Sequence, residues 1–176
     1  MKENTSIKLS EYKTYPFLIP NINLDFNIYK EEVFIQASLI IEPKFELPSK
    51  LILKGIEIEL VSISIDGKTL NSEEYILTAN DLVINKTPKS KFELNIKSRI
   101  YPFKNTSLEG LYASSGMLAS QCEAEGFRRI CFHPDRPDVL SKYTVRIESD
   151  RNKFPILLSN GNKKYSGNLN NNRHEI

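Results

Sequence analysis

Apolar and polar residues alternate one for one through most of the first half of this chain, and that period constrains the fold more than any other feature. Successive side chains of an extended backbone point to opposite faces, so a period of two commits a segment to a half-buried β-strand. Leu24, Phe26 and Ile28 alternate with Asp25, Asn27 and Tyr29, and Val33, Ile35, Ala37 and Leu39 alternate with Phe34, Gln36 and Ser38. Two adjacent strands follow, with Lys30-Glu31-Glu32 as the turn and Pro43 as the end of the second. Ile56, Ile58 and Leu60, then Val61, Ile63 and Ile65, predict one long strand that changes face near Leu60-Val61, as a bulge produces.

Turn chemistry divides the strands. Asp66-Gly67 predicts a tight hairpin, and Ala79-Asn80-Asp81 predicts a second one between 75–78 and 82–84. Phe92, Leu94 and Ile96 alternate again, as do Tyr143, Val145 and Ile147. Beyond Ile156-Leu157-Leu158, the Asn160-Gly161 pair predicts a turn, 164–169 a returning strand, and 170–176 a further turn followed by the start of another strand. The expected fold is therefore all-β, an antiparallel β-sandwich or saddle with short turns and little helix, built as a single domain over 1–176.

With 176 residues the chain can bury one substantial core, and a net charge of +2 creates no field that recruits nucleic acid or an anionic membrane. The opening Met1-Lys2-Glu3-Asn4-Thr5-Ser6 has no apolar stretch of signal-peptide type, and no apolar run approaches bilayer length. The expectation is a cytoplasmic protein that binds neither nucleic acid nor membrane, with Cys122 and Cys131 as reduced, partly buried thiols. Asn4-Thr5-Ser6 and Asn105-Thr106-Ser107 match the glycosylation pattern but are expected to be surface turns.

After Tyr101-Pro102 the alternation loosens, and polar residues crowd together more densely than a core allows. His133 and His174 are far apart, so no zinc-ligand spacing exists, and both are expected to be histidines without a ligand role. Cys122 with His133 is the one pairing that would suit nucleophilic catalysis, and it is weak, because the alternation around Cys122 points its thiol into a core. In Gln121-Cys122-Glu123 a strand-like alternation turns Cys122 inward and puts Gln121 and Glu123 together on the other face. Spacing alone leaves two readings open for Gln121, Glu123 and Glu125: an exposed strand face, or a site for a cation such as an ammonium group. Arg128, Arg129 and Arg136 stand ready to neutralise surplus acid, with Asp135 and Asp138 as partners.

Leu108-Glu109-Gly110-Leu111-Tyr112, Gln121-Cys122-Glu123-Ala124-Glu125-Gly126-Phe127-Arg128, Asp135-Arg136-Pro137-Asp138-Val139 and the block at 154–162 occur in the order, and closely resemble the sequence, of the amino-terminal domain of the bacterial aminopeptidase N family of zinc-dependent gluzincin metallopeptidases. Tyr15-Pro16-Phe17 agrees with its opening element, whereas Cys131, Phe132, His133 and Pro134 depart from its usual residues. The resemblance implies a β saddle that closes over a separate catalytic domain of the same polypeptide. That domain would carry the zinc, its H-E-x-x-H helix with the general base, and a G-x-M-E-N motif, none of which occurs here. The resemblance also implies that Glu123 pairs with the free α-ammonium of a peptide substrate and that Gln121 lines the pocket for its first side chain. No catalytic residue and no metal ligand falls within the chain on this reading, which expects a fragment lacking its last strands, inactive alone. The alternative expectation is a stand-alone, non-catalytic β-sandwich binding module.

Overall fold

A computed structural model describes residues 8–45 and 50–176, and Asn4-Thr5-Ser6 lies outside them. An eight-stranded sheet in the order β12-β13-β11-β1-β2-β8-β4-β5 forms the frame. Its strands are β1 (Phe17–Ile28), β2 (Val33–Pro43), β4 (Glu59–Ile65), β5 (Lys68–Thr69), β8 (Phe92–Ile100), β11 (Lys142–Asp150), β12 (Gly167–Asn168) and β13 (Arg173–Glu175). Strands β3 (Leu51–Lys54), β7 (Asp81–Ile84) and β6 (Tyr75–Leu77) make a second sheet, and β9 (Gly110–Ser114) pairs with β10 (Met117–Gln121) as a separate hairpin. Among the described residues helix is limited to two short 3-10 turns, Leu9–Glu11 and Phe127–Arg129. The all-β expectation stands.

Register explains why the alternation is obligatory. One row runs Ile22, Leu39, Leu94, Ile65 across four neighbouring strands, and the next runs Val145, Leu24, Ala37, Ile96, Ile63 across five. Slipping any strand by one residue would turn that strand's whole apolar set to water. Leu51, Leu53, Leu82 and Ile84 of the second sheet are buried in the same core as these rows, so the two sheets share one hydrophobic interior. The opposite face carries Asp25, Gln36, Lys97 and Ser62 in register, a solvated surface. Neighbouring strands are antiparallel except for β1 with β11, which run parallel.

Two irregularities keep apolar residues inward. In β1 the register shifts between Leu18 and Asn21, so Phe17 and Ile19 on one side of Pro20 and Ile22 and Leu24 on the other all reach the core. In β4 it shifts between Leu60 and Ser62, where the sequence predicts a change of face. Asp66 and Gly67, both at positive φ, close the β4–β5 hairpin as expected.

Two strand expectations need correction. The long strand predicted from Ile56 begins only at Glu59, because the N–H groups of Gly55 and Ile56 donate to Asn80 and Arg128 carbonyls instead of a ladder. The returning strand predicted over 164–169 contracts to Gly167–Asn168, and Ile156, Leu158 and Tyr165 stand exposed.

Candidate functional site

The hairpin of β9 and β10 turns at Ser115-Gly116, both at positive φ, and brings Gln121 opposite Gly110 at its base. Leu111 and Leu118 fasten its inner face to the core. The strand-like run expected to continue through Glu123 ends at Gln121. A tight turn replaces it, closed by the Gly126 N–H donating to the Cys122 carbonyl at 2.9 Å, and the Glu123-Ala124 peptide within it is cis. The sidedness of the expectation survives this change: Cys122 is half-buried against the core, and Gln121 and Glu123 are exposed.

Two glycines set how closely this turn can lie against its neighbours. A Cβ on Gly126 would stand 2.4 Å from the Gln121 carbonyl oxygen, and one on Gly110, at φ 71°, would stand 2.6 Å from the Arg129 Cβ. Only glycine accommodates both approaches. Their isolated position in a strand-like pattern is the signal by which a sequence can announce such contacts.

Below the turn the chain becomes fully buried. Ile130, Cys131, Phe132 and His133 are consecutive and all within the core, and His133 exchanges backbone hydrogen bonds with Lys54 of β3. His133 therefore sits in the core, bridged to β3, and not in a surface loop. Its Nδ1 accepts the Asp135 N–H at 2.9 Å, its Nε2 lies 3.3 Å from the Tyr143 hydroxyl, and the Phe127 ring meets it edge-on at 5.0 Å. Burial lowers its pKa to about 4, opposed by the nearby Asp135 carboxylate. Burial likewise pushes the Cys131 thiol up, and both cysteines are free.

The arginines pair as follows. Arg128 Nε donates to Asp135 Oδ2 at 2.7 Å, and Arg136 Nε to Asp138 Oδ1 at 2.7 Å, both pairs the sequence expects. Arg129 departs from that expectation, binding Glu57 at 2.6 Å and Glu109 at 3.3 Å. Asp138 also accepts from the Tyr12 hydroxyl and the Tyr15 N–H, and the Arg136 hydrogen bond holds its carboxyl well below the usual carboxylate range. Glu125 reaches Arg128 at 3.3 Å.

One acid is left over. Glu57, Glu109, Glu125, Asp135 and Asp138 each engage an arginine, whereas the Glu123 carboxylate has no hydrogen-bond or ion-pair partner among the described residues. The Gln121 amide donates to the Glu123 backbone carbonyl at 3.3 Å, which places the two predicted site residues side by side. The glycosylation-like Asn105 instead spends its side-chain amide on the Glu109 and Leu111 carbonyls, bracing the loop that enters the hairpin. Sequence reasoning missed that brace and the Glu57–Arg129 pair, whose partners are distant in the chain.

Comparison with known proteins adds the following. Residues 12–176 match the family model of the Peptidase M1 N-terminal domain. The chain is 44% identical over 169 residues to aminopeptidase N of Caulobacter vibrioides, an alignment covering 96% of this chain and 19% of that protein. It is 39% identical over 168 residues to aminopeptidase N of Escherichia coli, covering 94% and 19%. The chain thus spans about a fifth of the length of these curated relatives. Among solved structures, Legionella pneumophila aminopeptidase A in complex with aspartic acid aligns with a TM-score of 0.88 at 32% identity, covering 96% of this chain and 20% of that one. An M1 zinc metallopeptidase mutant from Deinococcus radiodurans, bound to a Tyr-Ser-Ala substrate, aligns at 0.73 and 14% identity over 91% of this chain and 38% of that one, a likeness of fold alone.

Proposed function

The chain belongs to the Peptidase M1 N-terminal domain family, and from that premise we propose that it anchors the free amino terminus of peptide substrates for a zinc aminopeptidase of which it forms one domain. Glu123 pairs with the α-ammonium group, and Gln121 lines the pocket for the first side chain. The observation that carries this reading is the unpartnered Glu123 carboxylate in a neighbourhood where the other acids are held by arginine.

The physical logic is selective desolvation. An ammonium group leaves water only against a counter-charge, and charge-assisted hydrogen bonds are the strong ones. A carboxylate already bonded to an arginine would have to break that pair first. Glu123 has none to break. Exposed as it is in this chain, it would hold an ammonium weakly, and the contact gains strength once the rest of the enzyme closes over it and lowers the local dielectric. A blocked amino terminus offers no such cation, so the anchor favours removal of residues from the end of a peptide.

Zinc supplies the hydrolytic chemistry of such an enzyme by activating water and polarising the scissile carbonyl. Among the described residues no three His, Cys, Asp or Glu side chains are grouped to hold a metal, and the acids around the turn other than Glu123 are committed to arginines. We place the metal and the general base in a catalytic domain of the same polypeptide, outside this chain, a reading supported by the chain's match to about a fifth of the length of its aminopeptidase N relatives. Ile156 and Leu158, exposed in a segment without ladder partners, supply apolar surface for that domain to cover. We place the enzyme in the cytoplasm, a reading supported by its free thiols.

Replacing Glu123 with alanine in the full-length enzyme is the test. Loss of one hydrogen bond to a charged group corresponds to roughly 10- to 10²-fold in kcat/KM on an aminoacyl substrate. Wild-type kcat/KM in that variant would overturn the assignment.

A further inference from the structure

We propose that Arg128 and Glu125 are positioning residues for Glu123, with Arg128 as a fixed post and Glu125 as the tie that holds the Glu123 turn to it. The inference rests on the ammonium-anchor reading and deepens it. Arg128 is fixed at its side chain and at its backbone. Its Nε and its own backbone N–H both donate to Asp135 Oδ2, at 2.7 and 3.2 Å, and its NH2 group reaches the Asp135 carbonyl at 3.4 Å. Its carbonyl accepts the Ile56 N–H at 2.8 Å. Asp135 is buried and is held in turn by the His133 ring. Side chain and backbone of Arg128 are thus set from the core side, and the same Nη2 that reaches the Asp135 carbonyl also lies 3.3 Å from Glu125 Oε1.

Glu125 stands two residues after Glu123 inside the turn closed by Cys122 and Gly126. The Gln121 amide holds the turn at the Glu123 carbonyl, before the apex, and Glu125 holds it after the apex. Glu123 lies between these two ties with its carboxylate free. The Glu125 side chain is 71% exposed, and an ion pair that open contributes little to the stability of a domain. For a short turn with few other constraints, the same small contribution shifts the population ratio of one arrangement by up to about fivefold. Its consequence is therefore order at Glu123 rather than stability of the fold.

Two readouts of Glu125→Ala test this together. In this chain, the 1H–15N heteronuclear NOE of residues 123–125 is expected to fall while thermal stability stays at the wild-type value. In the full-length enzyme, KM for an aminoacyl substrate is expected to rise by up to about fivefold with kcat retained, because a disordered anchor loses ground-state and transition-state binding alike. Glu125→Gln, which can still accept a hydrogen bond from Arg128, is expected to restore most of both. An unchanged NOE, or an unchanged KM alongside a changed NOE, overturns the positioning role. If Glu123→Ala is impaired while Glu125→Ala is not, the anchor stands and the tie falls; if Glu123→Ala is itself unimpaired, the anchor reading has failed separately.

Discussion

The eight-stranded sheet and the segment from Asn105 to Asp138 belong to one domain and are held together by different physics. The sheet is specified by rows of apolar side chains in register, such as Ile22, Leu39, Leu94 and Ile65, and many contacts share the burden of every position. The 105–138 segment has one short ladder, β9 with β10, and a bridge from His133 to Lys54; it is rooted in the core by Ile130, Cys131 and Phe132, and its outer part depends on arginine–carboxylate pairs, two glycine contacts and a buried histidine. Redundant packing fixes a shape but leaves no group available for chemistry. Polar scaffolding allocates its partners one by one, and here the allocation leaves Glu123 free.

The largest effect that sharpens this contrast is on the sheet side. Leu39 is fully buried between Ile22 and Leu94, so Leu39→Ala is expected to destabilise the domain by about 3 to 5 kcal/mol in urea unfolding. A loss under about 1 kcal/mol would mean that the row does not carry the fold.

The next effect lies on the segment side and depends on pH. Burial lowers the folded-state pKa of His133 to about 4, against about 6.5 in an unfolded chain. The unfolded state therefore binds a proton that the folded state refuses. The stability this provides is complete above about pH 6.5 and is lost as pH falls towards 4. Between pH 7 and pH 5, above the range where carboxylates titrate, the domain is expected to lose about 2 kcal/mol. Asp135, Tyr143 and Phe127 surround the ring, and only Asp135 opposes the shift by its charge. His133→Gln is expected to flatten that slope to within about 0.5 kcal/mol; a slope that persists would place its origin elsewhere.

How much of this was legible in the sequence follows the same division. Period two located β1, β2, β8 and β11, and turn residues located the hairpins, because both signals are local. The parallel pairing of β1 with β11 joins residues more than a hundred positions apart, and alternation carries no information about which edges meet. At the site, Arg128 with Asp135 and Arg136 with Asp138 were readable because the partners are neighbours in the chain. Arg129 with Glu57 was not, since that contact forms only when Ile56 leaves its expected strand to bond Arg128. The buried run from Ile130 to His133 broke the alternation for a structural reason: paired to Lys54 beneath the turn, it is enclosed on both faces, and a two-sided burial has no polar phase to read.

The smallest structural effect and the most direct functional one meet in a single variant, Glu123→Gln. Because its carboxylate has no partner among the described residues, unfolding free energy is expected to stay within about 0.5 kcal/mol of wild type. The decisive measurement is kcat/KM for an aminoacyl substrate and for its des-amino analogue, in wild-type full-length enzyme and in Glu123→Gln. The account predicts that wild type favours the amino substrate by roughly 10- to 10²-fold and that the variant loses most of that preference. A preference that survives intact in Glu123→Gln would show that the ammonium is held elsewhere and would contradict the account.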